Sequence, residues 1–219
     1  MSPSGSSRPV PVWDLPLRLF HWSLVLLFAL SWASGKMGKL DIHMKMGAAV
    51  LTLILFRLAW GVVGSPTARF ARFVSGPGGI LAYLRGQWSG IGHNPLGALS
   101  VLAMLGLLAA QATAGLFTSD DIATDGPLVW SASGAMVKLL SGLHRQGAWL
   151  LLGLVGLHLA AIVFYRIKKG ENLVIPMVTG VKEMDPAPEP QRLASPWLAL
   201  ALLVVAAALV FGGLAVWGK

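Results

Sequence analysis

The chain has 219 residues, of which 55% are hydrophobic and only 12% charged, a balance outside that of ordinary soluble domains. It has no cysteine, which excludes disulfides, cysteine-ligated iron–sulfur clusters and covalent haem attachment through C-x-x-C-H. The net charge of +8 superficially suits a nucleic-acid binder, but the basic residues sort by membrane topology, and no nucleic-acid partner is expected.

Residues 1–12 (MSPSGSSRPVPV) read as a Pro/Ser-rich flexible tail. Five apolar blocks follow: Leu15–Ser34, Met44–Val63, Leu96–Phe117, Gly147–Ile167 and Pro196–Trp217. Each is about the 20 residues that a helix needs to cross hydrocarbon roughly 30 Å thick. The fold class predicted is therefore an all-α polytopic membrane protein. The first block is too long, and too poor in small residues at a cleavage position, to read as a removable signal. Asp14 reads as its N-cap, with Pro16 in the first turn where a missing N–H is harmless. Asp41 is expected to cap the second span, and Asn94-Pro95 to open the third.

About 30 residues separate spans two and three. Their mixture of Arg with Phe70, Phe73, Tyr83 and Trp88 predicts short amphipathic pieces lying in the interface. The loop at about 118–143 begins acidic, with Asp120, Asp121 and Asp125. Residues 181–195 read as a polar, Pro-rich linker to a fifth span bracketed by Trp197 and Trp217. That span carries no titratable residue and offers Ala208-x-x-x-Gly212, a small-residue packing pattern, so it is assigned to packing or partner docking. The expected organisation is a tail over 1–12, a four-span core over 13–180, a linker over 181–195 and a fifth helix over 196–219.

Alternate crossings, starting from a cytoplasmic N-terminus, put 11 of the 17 basic residues inside and 6 outside. This satisfies the positive-inside rule, places the C-terminus in the periplasm, and makes a basic rim suited to anionic lipid heads.

His144 and His158 lie 14 residues apart in the fourth span, about 21 Å of helix rise and some 40° short of four full turns. Both imidazoles therefore leave nearly the same face, near opposite sides of the bilayer. His21 sits in the cytoplasmic half of the first span, and His43 at the outer end of the second. The depths match in pairs, His21 with His158 and His43 with His144, and each pair can clamp one iron from opposite sides. Bis-histidine coordination leaves no open position and favours electron transfer. A histidine at a helix end is also a common interfacial residue, so His43 and His144 taken singly admit that reading. Proton relays and metal transporters use intramembrane histidines too, but normally bring Asp or Glu into the spans.

The runs WDLPLRLFHW, DIHMKMG, GHNPLGAL and LHRQGAWLLLGLVGLHLAA resemble the bacterial cytochrome b561 family, which includes the b-type cytochrome subunits of nickel–iron hydrogenases. The resemblance covers roughly residues 12–181. It implies a four-span core, two non-covalent b haems, quinone-linked electron transfer, and axial ligation by His21, His43, His144 and His158. The fifth span departs from the four-span members.

Around those ligands, Arg57 follows His43 by 14 residues and shares its helix face, which suits a contact with a haem propionate or snorkelling to lipid heads. Arg18 and Arg145 admit the same two readings. Gly47, Gly153 and Gly156 permit close approach of either a macrocycle or another helix. His93, just outside the third span, is placed to bind or protonate a quinone or simply to bond to its loop. The function expected is electron transfer between an outer redox partner, such as a c-type cytochrome, and the quinone pool of the bacterial inner membrane. The alternatives are an anchor subunit of a larger oxidoreductase such as a hydrogenase, or a stand-alone superoxide:quinone oxidoreductase.

Overall fold

The computed structural model describes residues 8–88, 90–184 and 191–218. Helix α1 (Leu15–Lys36) starts where the sequence places it: the Asp14 side chain accepts the Leu17 N–H at 2.7 Å, with Pro16 in the first turn. Only Met37, Gly38 and Lys39 separate it from α2 (Leu40–Val63), and Gly38 makes the turn at φ +68°. Asp41 does not cap α2. The N-cap is Lys39 without a side-chain bond, and Asp41 lies one position inside the first turn, where its charge faces the positive helix terminus.

The segment after α2 forms a 3-10 turn (Pro66–Ala68) and two short helices, α3 (Phe70–Phe73) and α4 (Pro77–Leu84). Helix α5 (Pro95–Gly115) opens on Asn94, whose side chain accepts the Gly97 N–H at 2.8 Å. Helix α6 (Gly134–Lys168) has 35 residues and is about 52 Å long. It begins 13 residues before the predicted Gly147, so the loop expected over 118–143 is helical in its last ten residues. The reason is a Ser133 cap followed by residues that sustain helix without being apolar enough to read as a span.

A short helix, α7 (Val174–Thr179), leads through Gly180 (φ +86°) into a strand. This strand, β2 (Val181–Met184), pairs antiparallel with β1 (Arg8–Pro11), matching Arg8 to Met184 and Pro11 to Val181. The flexible-tail and linker assignments are therefore corrected at 8–12 and 181–184. Val10 and Val12 are buried, and the Val12 and Trp13 N–H groups both donate to the Gly180 carbonyl. The rest of the tail, and residues 185–190, lie outside the described residues. The chain ends in α8 (Pro196–Trp217), capped by Ser195 and interrupted by a π-helical turn at Ala208–Gly212.

Among the described residues five helices, α1, α2, α5, α6 and α8, are long and apolar enough to cross a membrane. They alternate in direction, so the bundle has a near end, where α1 begins, and a far end, where it finishes. Helix α2 is the hub, packing against α1, α5 and α8, and it contributes Val50, Ile54, Phe56 and Trp60 to the buried core. Helix α8 joins that core through Ala199 and Ala206. The Ala208/Gly212 pattern is not its packing seam, because the π turn breaks the four-residue register and a Cβ at Gly212 would meet nothing within 4 Å. Among the described residues α6 packs chiefly on α5 and makes no comparable contact with α1 or α2. The histidine-bearing face of α6 thus looks across a gap at the other histidine-bearing helices.

Candidate functional site

At the far end His43 of α2 and His144 of α6 meet across that gap, with ring centres 5.8 Å apart and planes at 84°. His43 Nδ1–H donates to the Ser31 carbonyl of α1 at 2.8 Å, with the Ser31 hydroxyl 3.2 Å away. His144 Nδ1–H donates to the Gln111 carbonyl of α5 at 3.0 Å, and the Gln111 amide returns a bond to the His144 carbonyl at 2.9 Å. A hydrogen bond from one ring nitrogen to a carbonyl fixes the tautomer and leaves Nε2 with a free lone pair.

The two rings line a cavity of about 720 Å³, within the range of small-molecule and cofactor sites. Its depth is apolar (Phe28, Val50, Leu108, Leu151), and its mouth carries Asp41, Lys45, Asp120 and Arg145. Phe211 and Leu214 bring α8 into the same wall. Gly47 also lines it, and a Cβ there would meet nothing within 4 Å.

Two observations test whether a haem suits these residues. Imidazoles gripping one ion from opposite sides, with metal–nitrogen bonds of roughly 2 Å, hold their ring centres about 6 Å apart, close to the spacing here. Among the described residues no three His, Cys, Asp or Glu side chains converge as a metal site, so a histidine pair needs a group that brings its own four donors, as a porphyrin does. The far-end residues fit.

At the near end His21 of α1 and His158 of α6 come within electrostatic reach of each other. The His21 Nδ1 is buried without a hydrogen-bond partner among the described residues, and its ring abuts Trp22 edge-on at 5.0 Å. Arg57 is not a snorkelling residue. It is 1% exposed, its guanidinium lies 4.6 Å from the centre of the Phe70 ring, and both terminal nitrogens are buried without a partner among the described residues. The ring that covers it rests on Gly61, where any Cβ would collide with it.

His93 packs against Trp13 (ring centres 4.6 Å apart, planes at 53°) and Phe73 (4.8 Å, 42°), with its Nδ1 buried. Burial, then the charges of Arg57, His158 and His21, push its pKa down to about 3. The imidazole is therefore neutral near pH 7 and holds no additional proton to deliver. Arg18 is used structurally, donating to the Val178 carbonyl of α7, while Arg145 stands exposed at the far-end mouth. A Cβ at Gly153 or Gly156 meets nothing within 4 Å, so neither glycine serves close helix packing.

Several site residues escaped the sequence reading. Ser31 and Gln111 matter through their carbonyls, which no side-chain pattern reveals. The one trace is a polar residue followed four positions later by glycine near the far end of both α1 and α5, in Ser31–Gly35 and Gln111–Gly115. The Trp32–Trp149 pair, edge to face at 5.4 Å under Lys36 Nζ (5.0 and 4.6 Å), bridges α1 to α6 and was equally invisible.

The family model described as prokaryotic cytochrome b561 matches residues 12–180, which contain all five histidines of the chain. No curated protein and no solved structure matches the chain.

Proposed function

The chain belongs to the prokaryotic cytochrome b561 family and is a membrane b-type cytochrome of electron transfer; from that premise we propose that it holds two non-covalent b haems and connects a redox partner at the far end with a quinone in the membrane. The ligands are His43 with His144 at one level and His21 with His158 at the other. The observation that carries this reading is the far-end pair, facing at 5.8 Å with each Nδ1 anchored on a carbonyl. These histidines would hold the haems, which when bound would supply one-electron chemistry.

The chain's own contributions are position and electrostatics. Gly47 leaves room at the cavity wall. Arg57 and Arg145 offer guanidinium groups to propionate carboxylates, the first from a buried site and the second from the mouth. His93, neutral and packed against two aromatic rings, serves quinone binding through a hydrogen bond and not through proton delivery. The basic near end faces the cytoplasm and the far end the periplasm of the bacterial inner membrane, because 11 of 17 basic residues then lie inside.

The test is a reduced-minus-oxidised spectrum with haem quantitation on the purified chain and on each His→Ala variant. Two b haems per chain are expected, with His43→Ala and His144→Ala losing the same one and His21→Ala and His158→Ala losing the other. A colourless chain after haem-replete expression, or haem retained unaltered without these side chains, sinks the reading.

A further inference from the structure

Resting on the ligand assignment above, we infer that Gly35 and Gly115 are positioning residues, each a seat that lets a far-end ligand lie flat against a neighbouring helix and share one of its carbonyls. The two hairpins use the same device. In α1–α2 the carbonyl is that of Ser31, the ring is His43, and the residue four positions after the carbonyl is Gly35. In α5–α6 the carbonyl is that of Gln111, the ring is His144, and the residue four positions on is Gly115.

That spacing has a geometric cause. In an α-helix the carbonyl of residue i points along the axis toward residue i+4, so a donor reaching it from the side must pass over the side-chain position of i+4. A Cβ at Gly35 would sit 3.0 Å from His43 Nδ1, and one at Gly115 would sit 3.1 Å from His144 Cε1. Both distances are tighter than ordinary van der Waals contact, and in each case the obstructed group is the ligand ring itself.

Alanine at either seat therefore pushes the ring off its carbonyl by a few tenths of an ångström. A longer Nδ1–H···O=C bond makes the imidazole a weaker electron donor through Nε2, which destabilises the oxidised metal and raises the potential of that centre. The backbone tolerates the change, since both glycines are helical residues at the ends of α1 and α5 and neither has a positive φ. The variants fold, and the readout is confined to the ring.

The experiment has two arms. In the haem-free chain, ¹⁵N-histidine NMR follows the ring Nδ1–H signals. Gly35→Ala is expected to move the His43 signal only, and Gly115→Ala the His144 signal only, while Gly106→Ala, which faces open space, moves neither. In the haem-loaded chain both seat variants are expected to raise the midpoint potential and shift the low-spin EPR signal of one and the same centre, leaving the other centre unchanged. NMR signals indifferent to both substitutions overturn the inference and leave ligation to be judged by the His→Ala spectra. Moving NMR signals with an unchanged potential overturn it too, and locate the failure in the assignment of His43 and His144 as ligands.

Discussion

The Asp14 carboxylate is 2% exposed, yet both oxygens are occupied: one accepts the Leu17 N–H at 2.7 Å and the other the Trp60 indole N–H at 3.0 Å. One side chain thus starts α1 and ties it to the fully buried tryptophan of α2. Asp14→Ala is expected to cost about 2–4 kcal/mol, a lost cap plus an unpaired buried N–H, measured by unfolding in detergent. Asp120 makes the opposite kind of bond set. It is exposed, and the N–H groups of Thr124, Ala123 and Ile122 converge on it, holding its pKa at about 2 against an ordinary 3.8. Because the folded value is the lower one, the loop's stabilisation is present above pH 3.8 and is lost as pH falls toward 2. NMR of the loop amides should show that transition in the native chain and none in Asp120→Asn. Asp14 was legible as a cap from its place before Leu-Pro, whereas its bond to Trp60, 46 residues away, was not, since only the α1–α2 hairpin brings the two together.

Helix α8 behaves as part of the bundle. Its alanines at 199 and 206 are buried against the core that holds Leu17, Phe56 and Trp60, and the Ala194 N–H before it donates to the buried Ser65 hydroxyl at 2.9 Å. At its other end the Trp217 carbonyl accepts the Trp130 indole N–H at 2.9 Å. Ala206→Leu is therefore expected to destabilise the chain by about 1–3 kcal/mol through overpacking. Gly212→Ala, set in open space, should stay within about 0.5 kcal/mol, as thermal unfolding in detergent can show. The five spans were readable from apolar length, and the caps at Asp14 and Asn94 from residue chemistry. The start of α6 was not, because a window tuned to hydrocarbon stops at the polar His144-Arg145-Gln146, while helical hydrogen bonding continues back to Ser133. The α8 packing face was misread for a related reason: small residues at four-residue spacing mark a seam only where the helix keeps its 3.6-residue turn.

Five alternating crossings put Arg8 and Gly218 at opposite ends of the bundle. With the basic end inside, alkaline phosphatase fused after residue 218 should be active and a fusion at the N-terminus inactive; the reverse pattern would invert the proposed direction of electron entry. The approach of His43 to His144 was visible in the sequence as spacing, but the closing of the four-span unit was not. Strand β1 carries two prolines and strand β2 is four residues long, so neither has a strand signature of its own, and each exists through the other. Gly180 makes the closure possible, since its φ of +86° suits glycine and a Cβ would sit 2.8 Å from the Trp13 carbonyl. During synthesis Arg8–Pro11 leaves the ribosome about 170 residues ahead of the segment it pairs with. A nascent chain halted before that segment emerges has its first helix tied to the second through Asp14 and Trp60 but its N-terminal strand unpaired. The fourth crossing must be complete before that strand can be fastened.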